Sequence, residues 1–243
     1  MDSQYSHSNL WLRGQSACLF LFFATSCSSN PVSRPDAREP SFQEQVRSVQ
    51  QGLTREIQSN EPISDIEFAQ IRGLSDLEVL SLSEAQLSDE IADTLSTLVG
   101  LKSLRLEKSS IGDRSSMAIG NLSQLSTINL PKCRISDQGI LAWSSLPKVI
   151  LMRIGSSNLS DAAMEMISKM SSLRFLHLIE VPITDIGLSK IQGMHQVESF
   201  YLDGSQVTDR GLSQLIEALP RLHFHRDQQH IPNDPQTDDH RRP

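Results

Sequence analysis

The stretch Leu173-Arg174-Phe175-Leu176-His177-Leu178, continued through Ile183-Thr184-Asp185-Ile186-Gly187-Leu188 to Gln196, is one copy of a 24-residue pattern that the chain writes six times. The copies begin at Leu77, Leu101, Leu125, Val149, Leu173 and Val197, with no drift of register between them. Positions 1, 4 and 6 are apolar, position 11 is leucine or β-branched, and position 13 is aspartate in every copy: Asp89, Asp113, Asp137, Asp161, Asp185 and Asp209. Ile63 and Asp65 keep the phase in an earlier, degraded copy. Such self-similarity makes this a repeat protein, in which each unit buries its apolar face only by stacking on its neighbours.

Alternation at positions 4 and 6 suits a short strand with one buried face, while positions 16, 19 and 22 (Ile140, Trp143, Leu146; Leu188, Ile191, Met194) recur at helical spacing. Each copy therefore predicts strand, turn, helix. Ser or Thr followed by Asp just before the helical stretch is an N-cap signal, because a short side-chain oxygen accepts from an unpaired N–H of the first turn. The aspartates are accordingly assigned as structural helix caps. One helix start per repeat sets their carboxylates too far apart to share a cation.

The period and the L-x-x-L-x-L pattern resemble the leucine-rich repeat, and Ile135-Ser-Asp-Gln-Gly-Ile140, Ile183 to Leu188 and Val207 to Leu212 look like its cysteine-containing subfamily, bacterial type. The resemblance implies an α/β solenoid, a horseshoe with a parallel concave sheet and convex helices. Six full repeats and a degenerate first repeat would occupy 53–225. The chain departs from the family at the buried position 9, which holds Ala85, Ser109, Cys133, Ser157, Val181 and Ser205. Without asparagine there, the inner turn must find its hydrogen bonds elsewhere.

Ser41 and Glu44 form the Ser-x-x-Glu of a capping box, and Phe42, Val46, Val49 and Leu53 make one helical stripe, so 41–52 predicts an N-terminal cap helix. Leu222 and Phe224 suggest a seventh strand. Beyond it the polar residues 226–243 predict a disordered tail, and no conventional C-terminal cap is visible.

Residues 1–26 read as an export signal whose apolar run, Ala17 to Ser26, is shorter than the roughly 20 residues a spanning helix needs. Its end, Ala24-Thr25-Ser26-Cys27, resembles a bacterial lipobox and makes Cys27 the candidate lipidation site. Ordinary cleavage after Ser26 would give a soluble secreted chain instead. Residues 27–40, rich in Ser, Pro, Asn and Arg, read as a flexible tether. These features place the protein in the cell envelope, touching the membrane only through a lipid anchor.

A net charge of −7 argues against a nucleic-acid partner. Cys18 lies in the signal, and Cys133 is predicted buried, so no catalytic nucleophile stands out and no disulfide framework is available. The glycines at 139, 187 and 211 recur at the helix start rather than in a phosphate loop. His223, His225 and His230 make an H-x-H with a third histidine nearby, assigned here to a solvated tail rather than to a metal. No cofactor is implied, and nothing indicates an enzyme.

Positions 3 and 5 of each strand point away from the core. In the fourth to sixth copies they bring Leu151, Arg153, Phe175, His177 and Tyr201 onto neighbouring strands, an apolar and aromatic patch with a cationic edge. Aromatic residues and arginine carry much of the binding energy at protein interfaces. The reading is a non-enzymatic module that binds a protein or peptide on its concave face. Alternatives are an intracellular adaptor that recruits a substrate, or a structural envelope protein stacking through an uncapped C-terminal edge.

Overall fold

A computed structural model describes residues 38–227 and 229–230. The export signal 1–26, Cys27, all of the tether before residue 38 and the tail beyond 230 lie outside the described residues. The chain divides into two units, Met1–Arg38 and Glu39–Pro243, and the second carries every element described below.

Among the described residues nine strands form one sheet in sequence order. They are β1 (Glu56–Ile63), β2 (Val79–Ala85), β3 (Ser103–Leu106), β4 (Thr127–Leu130), β5 (Leu151–Gly155), β6 (Phe175–Ile179), β7 (Ser199–Asp203), β8 (His223–Arg226) and β9 (Gln229–His230). From β1 to β8 every pairing is parallel, and each connection returns through a short helical segment. From β2 to β8 the register advances by 24 residues per strand, so equivalent positions stand side by side: Thr127, Leu151, Phe175 and Ser199 in one row, Asn129, Arg153, His177 and Tyr201 in the next. Positions 4 and 6 are sealed in the core, as Leu104, Leu106, Ile128, Leu130, Leu176 and Leu178 show.

The helices are α2 (Asp65–Phe68), α3 (Ala92–Leu95), α4 (Asp113–Ile119), α5 (Asp137–Leu141), α6 (Asp161–Ile167), α7 (Asp185–Ser189) and α8 (Asp209–Ala218). Their buried side chains close the other side of the core, together with Trp143 in the 3-10 turn Ala142–Ser145 after α5, whose indole N–H donates to the Ser116 carbonyl at 3.0 Å. At the inner turn the missing asparagines are replaced by backbone bonds between successive repeats: the N–H groups of Gln86, Ser110, Arg134 and Gln206 donate to the carbonyls of Ile63, Leu87, Ile111 and Ile183. Position 9 is less uniform than the pattern suggests. Cys133 is half-buried and Ser157 is exposed, because Ser156, one residue earlier, turns inward and donates its hydroxyl to Ile135.

The aspartates do something other than cap their own helices. The caps are the preceding residues, Ser64, Ser88, Ser136, Ser160, Thr184 and Thr208, whose hydroxyls accept from N–H groups of the first turn. Aspartate is the first helical residue, and its carboxylate reaches across to the cap of the next repeat. Asp113 takes the Ser136 N–H at 2.7 Å and the Ser136 hydroxyl at 2.6 Å; Asp137 binds Ser160, Asp161 binds Thr184 and Asp185 binds Thr208 in the same way. Where Gly112 replaces the hydroxyl cap, Asp89 accepts from the N–H groups of Gly112, Arg114 and Ser115. The glycines at 139, 187 and 211 make room for these bonds, since a Cβ there would collide with the preceding repeat's carboxylate.

Both ends of the sheet are partly covered. Before β1 lies α1 (Phe42–Gln50), started by the Ser41–Glu44 capping box and stopped at Gly52, whose φ of 70° no other residue adopts cheaply. Its Gln45 side chain donates to the Gln58 carbonyl at 2.7 Å and accepts from the Gln58 N–H at 2.8 Å, pairing the outer edge of β1. Phe42, Val46 and Val49 are buried, but Leu53 lies beyond the helix end and is exposed. At the other end β9 turns back antiparallel on β8, and Arg226 donates to Asp209 at 2.7 Å and to the Val207 carbonyl.

Candidate ligand-binding face

Register alone assembles the face. In parallel strands at a constant 24-residue offset, Leu151 neighbours Phe175, and Arg153, His177 and Tyr201 follow one another across β5, β6 and β7. All five are part-exposed on the side away from the core, whereas Met152, Ile154, Leu176 and Leu202 between them are buried. The neighbouring strands stand about 4.8 Å apart, which brings side chains of one row within reach of each other.

Their polar atoms form a chain across the sheet. Arg153 donates from Nη1 to Asn129 Oδ1 at 3.2 Å and from Nε to His177 Nδ1 at 3.3 Å. His177 Nε2 lies 2.9 Å from Asp203 Oδ2. Because Arg153 has only donors, His177 Nδ1 must be the bare nitrogen and Nε2 carries the proton toward Asp203. The aspartate thus orients the imidazole, and the imidazole orients the guanidinium. Burial is the largest influence on Arg153 and pulls its pKa below the usual value, with Arg105 adding to the effect and Glu107 and Asp203 opposing it. It remains a cation at any physiological pH.

The face continues one strand further than the apolar pattern indicates. His223 and His225 do not lie in a solvated tail: they occupy positions 3 and 5 of β8, opposite Ser199 and Tyr201, and are only 8% and 6% exposed. Tyr201 stacks on His225 with ring centres 4.2 Å apart and planes 11° from parallel, and meets His177 at 5.5 Å on its other side. A signal for this exists in the sequence: His223 and His225 fall 24 residues after Ser199 and Tyr201. It is obscured because Arg221 and Arg226 stand at positions 1 and 6 of that copy, where the core pattern needs apolar residues.

No protein-family model matches the chain, and no curated protein does. Solved structures do match. An internalin (inlF) from Listeria monocytogenes is 23% identical with a TM-score of 0.60, over 77% of this chain and 51% of the internalin. The leucine-rich-repeat ectodomain of the Arabidopsis receptor kinase HAESA, solved with a peptide hormone ligand, is 18% identical with a TM-score of 0.48, over 70% of this chain and 29% of that one. That of the Arabidopsis thaliana receptor kinase GASSHO1/SCHENGEN3 is 20% identical with a TM-score of 0.45, over 73% and 25%. The fold is a leucine-rich-repeat solenoid. The chain spans about half the length of the internalin and less of the receptors.

Proposed function

We propose that this protein is a non-enzymatic binding module that docks a protein or peptide segment on the sheet face across β5 to β7. The observation that carries the reading is the in-register cluster of Leu151, Arg153, Phe175, His177 and Tyr201. Leu151 and Phe175 offer apolar area, Tyr201 adds a second aromatic ring, and Arg153 is a fixed cation for a partner's carboxylate or carbonyl. Aromatic and arginine side chains held rigid before binding lose little entropy on docking, which favours affinity. The earlier strands present Val79 and Ser81, Ser103 and Arg105, and Thr127 and Asn129 on the same face, with no aromatic ring among them.

The reading includes export and a lipid anchor at Cys27, supported by the Ala24-Thr25-Ser26-Cys27 box after the apolar run and by the likeness of the repeats to the bacterial type. Among the described residues no helix is long and apolar enough to cross a membrane. Two experiments test the two halves. A photo-crosslinking residue at Phe175 should capture a partner in the native host, while the same residue at the exposed helix position Met117 should not; equal capture from both overturns the docking face. Palmitate labelling should be lost in Cys27→Ala, and uncleaved, unlabelled protein overturns the anchor.

A further inference from the structure

The H-x-H at the end of the repeats has a use that docking does not absorb. His223 and His225 are two residues apart on a strand and so share a face. β8 is held on one side by β7 and on the other by β9, and its last residue is tied down through the Arg226–Asp209 ion pair. The rings themselves are fixed: His225 lies flat on Tyr201, and His223 meets the same ring edge-on at 6.2 Å. In this arrangement the two Nε2 atoms converge to 2.7 Å. Beside them Ser199, the register partner of His223, is 6% exposed, and its hydroxyl makes no hydrogen bond among the described residues. A buried hydroxyl left without a partner next to converging imidazoles marks a place where a polar ligand belongs.

We propose that His223 and His225 chelate a divalent transition-metal ion of the Zn(II), Ni(II) or Cu(II) class through their Nε2 atoms, with water completing the coordination beside Ser199. Imidazole nitrogen suits these ions, whereas Mg(II) and Ca(II) demand oxygen ligands that the site lacks. The geometry is close to what a metal needs. Two bonds of about 2.0 to 2.1 Å at a tetrahedral angle set the nitrogens roughly 3.3 Å apart, so the rings must part by only about 0.6 Å. The proton shared between the Nε2 atoms moves to a ring Nδ1, leaving both lone pairs for the ion. This inference stands apart from the docking proposal, since it is read with the metal alone.

The test is calorimetric titration of the full chain with Zn(II) and Ni(II). One equivalent should bind, His223→Ala and His225→Ala should each weaken it at least tenfold, and His195→Ala, an exposed histidine elsewhere, should leave it unchanged. Because both rings are buried, the wild-type chain supplies a readout free of folding effects: with one equivalent of Cu(II), its electron paramagnetic resonance spectrum should show two imidazole nitrogens. Absence of binding, full affinity in the double variant, or fewer than two coordinated nitrogens overturns the site.

Discussion

At the scale of single residues, position 12 and position 13 divide two tasks that a sequence pattern runs together. A Ser-Asp or Thr-Asp pair before a helix looks the same whether the aspartate serves its own helix or the next one. The hydroxyl caps the helix, and the carboxylate ties each repeat to its successor; only the stacking of repeats, which no local window contains, separates the roles. Hydrogen bonds to a charged acceptor are each worth about 1.5 to 3 kcal/mol, so Asp113→Ala should destabilise by at least that much, more than the loss of an ordinary cap. A double-mutant cycle with Ser136→Ala should show strong coupling by chemical denaturation, and additive effects would contradict the inter-repeat bond. Cys133 is a second case. Burial pushes its thiol up to about 11, the largest influence on it, so at pH 8 it stays protonated. Peptide mapping after alkylation at pH 8 should find Cys133 labelled slowly in the folded chain and rapidly in denaturant.

At the scale of elements, the strands are legible because leucine, isoleucine, methionine or phenylalanine stands at positions 4 and 6 of all six copies. β1 is harder, since Glu56 stands where the pattern wants an apolar residue and Ile57 takes the buried place one residue late. The pairing with β2 is irregular between Ser59 and Pro62, and beyond it Ile63 and Asp65 make the same bonds as their counterparts in later repeats. The stripe drawn through α1 overshoots to Leu53 because apolar spacing does not report where Gly52 ends the helix. Where strand and helix agree, the core is tight: Leu130 is fully buried on β4. Leu130→Ala should therefore cost about 2 to 5 kcal/mol through the cavity it leaves, measured by denaturant unfolding. A negligible effect would mean that β4 faces the other way.

At the scale of the whole molecule, stability should fall in acid for a stated reason. Hydrogen bonds from the Thr208 hydroxyl and N–H hold Asp185 below the usual carboxylate range. For Asp89 burial pushes the other way, but bonds from Ser115, Gly112 and Arg114 outweigh it and the net shift is also downward. A carboxyl whose folded pKa is depressed contributes stability that is present above its unfolded value, near 4, and is lost as pH falls through the folded value. Loss of these carboxylates should thus lower the melting temperature from about pH 4 downward, less steeply in Asp185→Asn. The site is legible in part for the same reason as the fold. A fixed period by itself sets Leu151, Arg153, Phe175, His177 and Tyr201 on adjacent strands of one face, but it says nothing of the Asn129–Arg153–His177–Asp203 chain, whose bonds depend on rotamers. The same period carries the face on to His223 and His225, 24 residues after Ser199 and Tyr201, but Arg221 and Arg226 at positions 1 and 6 of that copy obscure it.

The central claim is that this face binds, and the direct measurement is the affinity of the partner captured at Phe175 for the wild-type chain against a variant with Arg153, Phe175, His177 and Tyr201 all changed to alanine. Each anchor should contribute about 2 kcal/mol or more, roughly thirtyfold in Kd, so the quadruple variant should lose measurable binding while Ser81→Ala and Ser103→Ala bind as wild type. A quadruple variant that remains folded and binds as tightly as the wild-type chain would contradict the account.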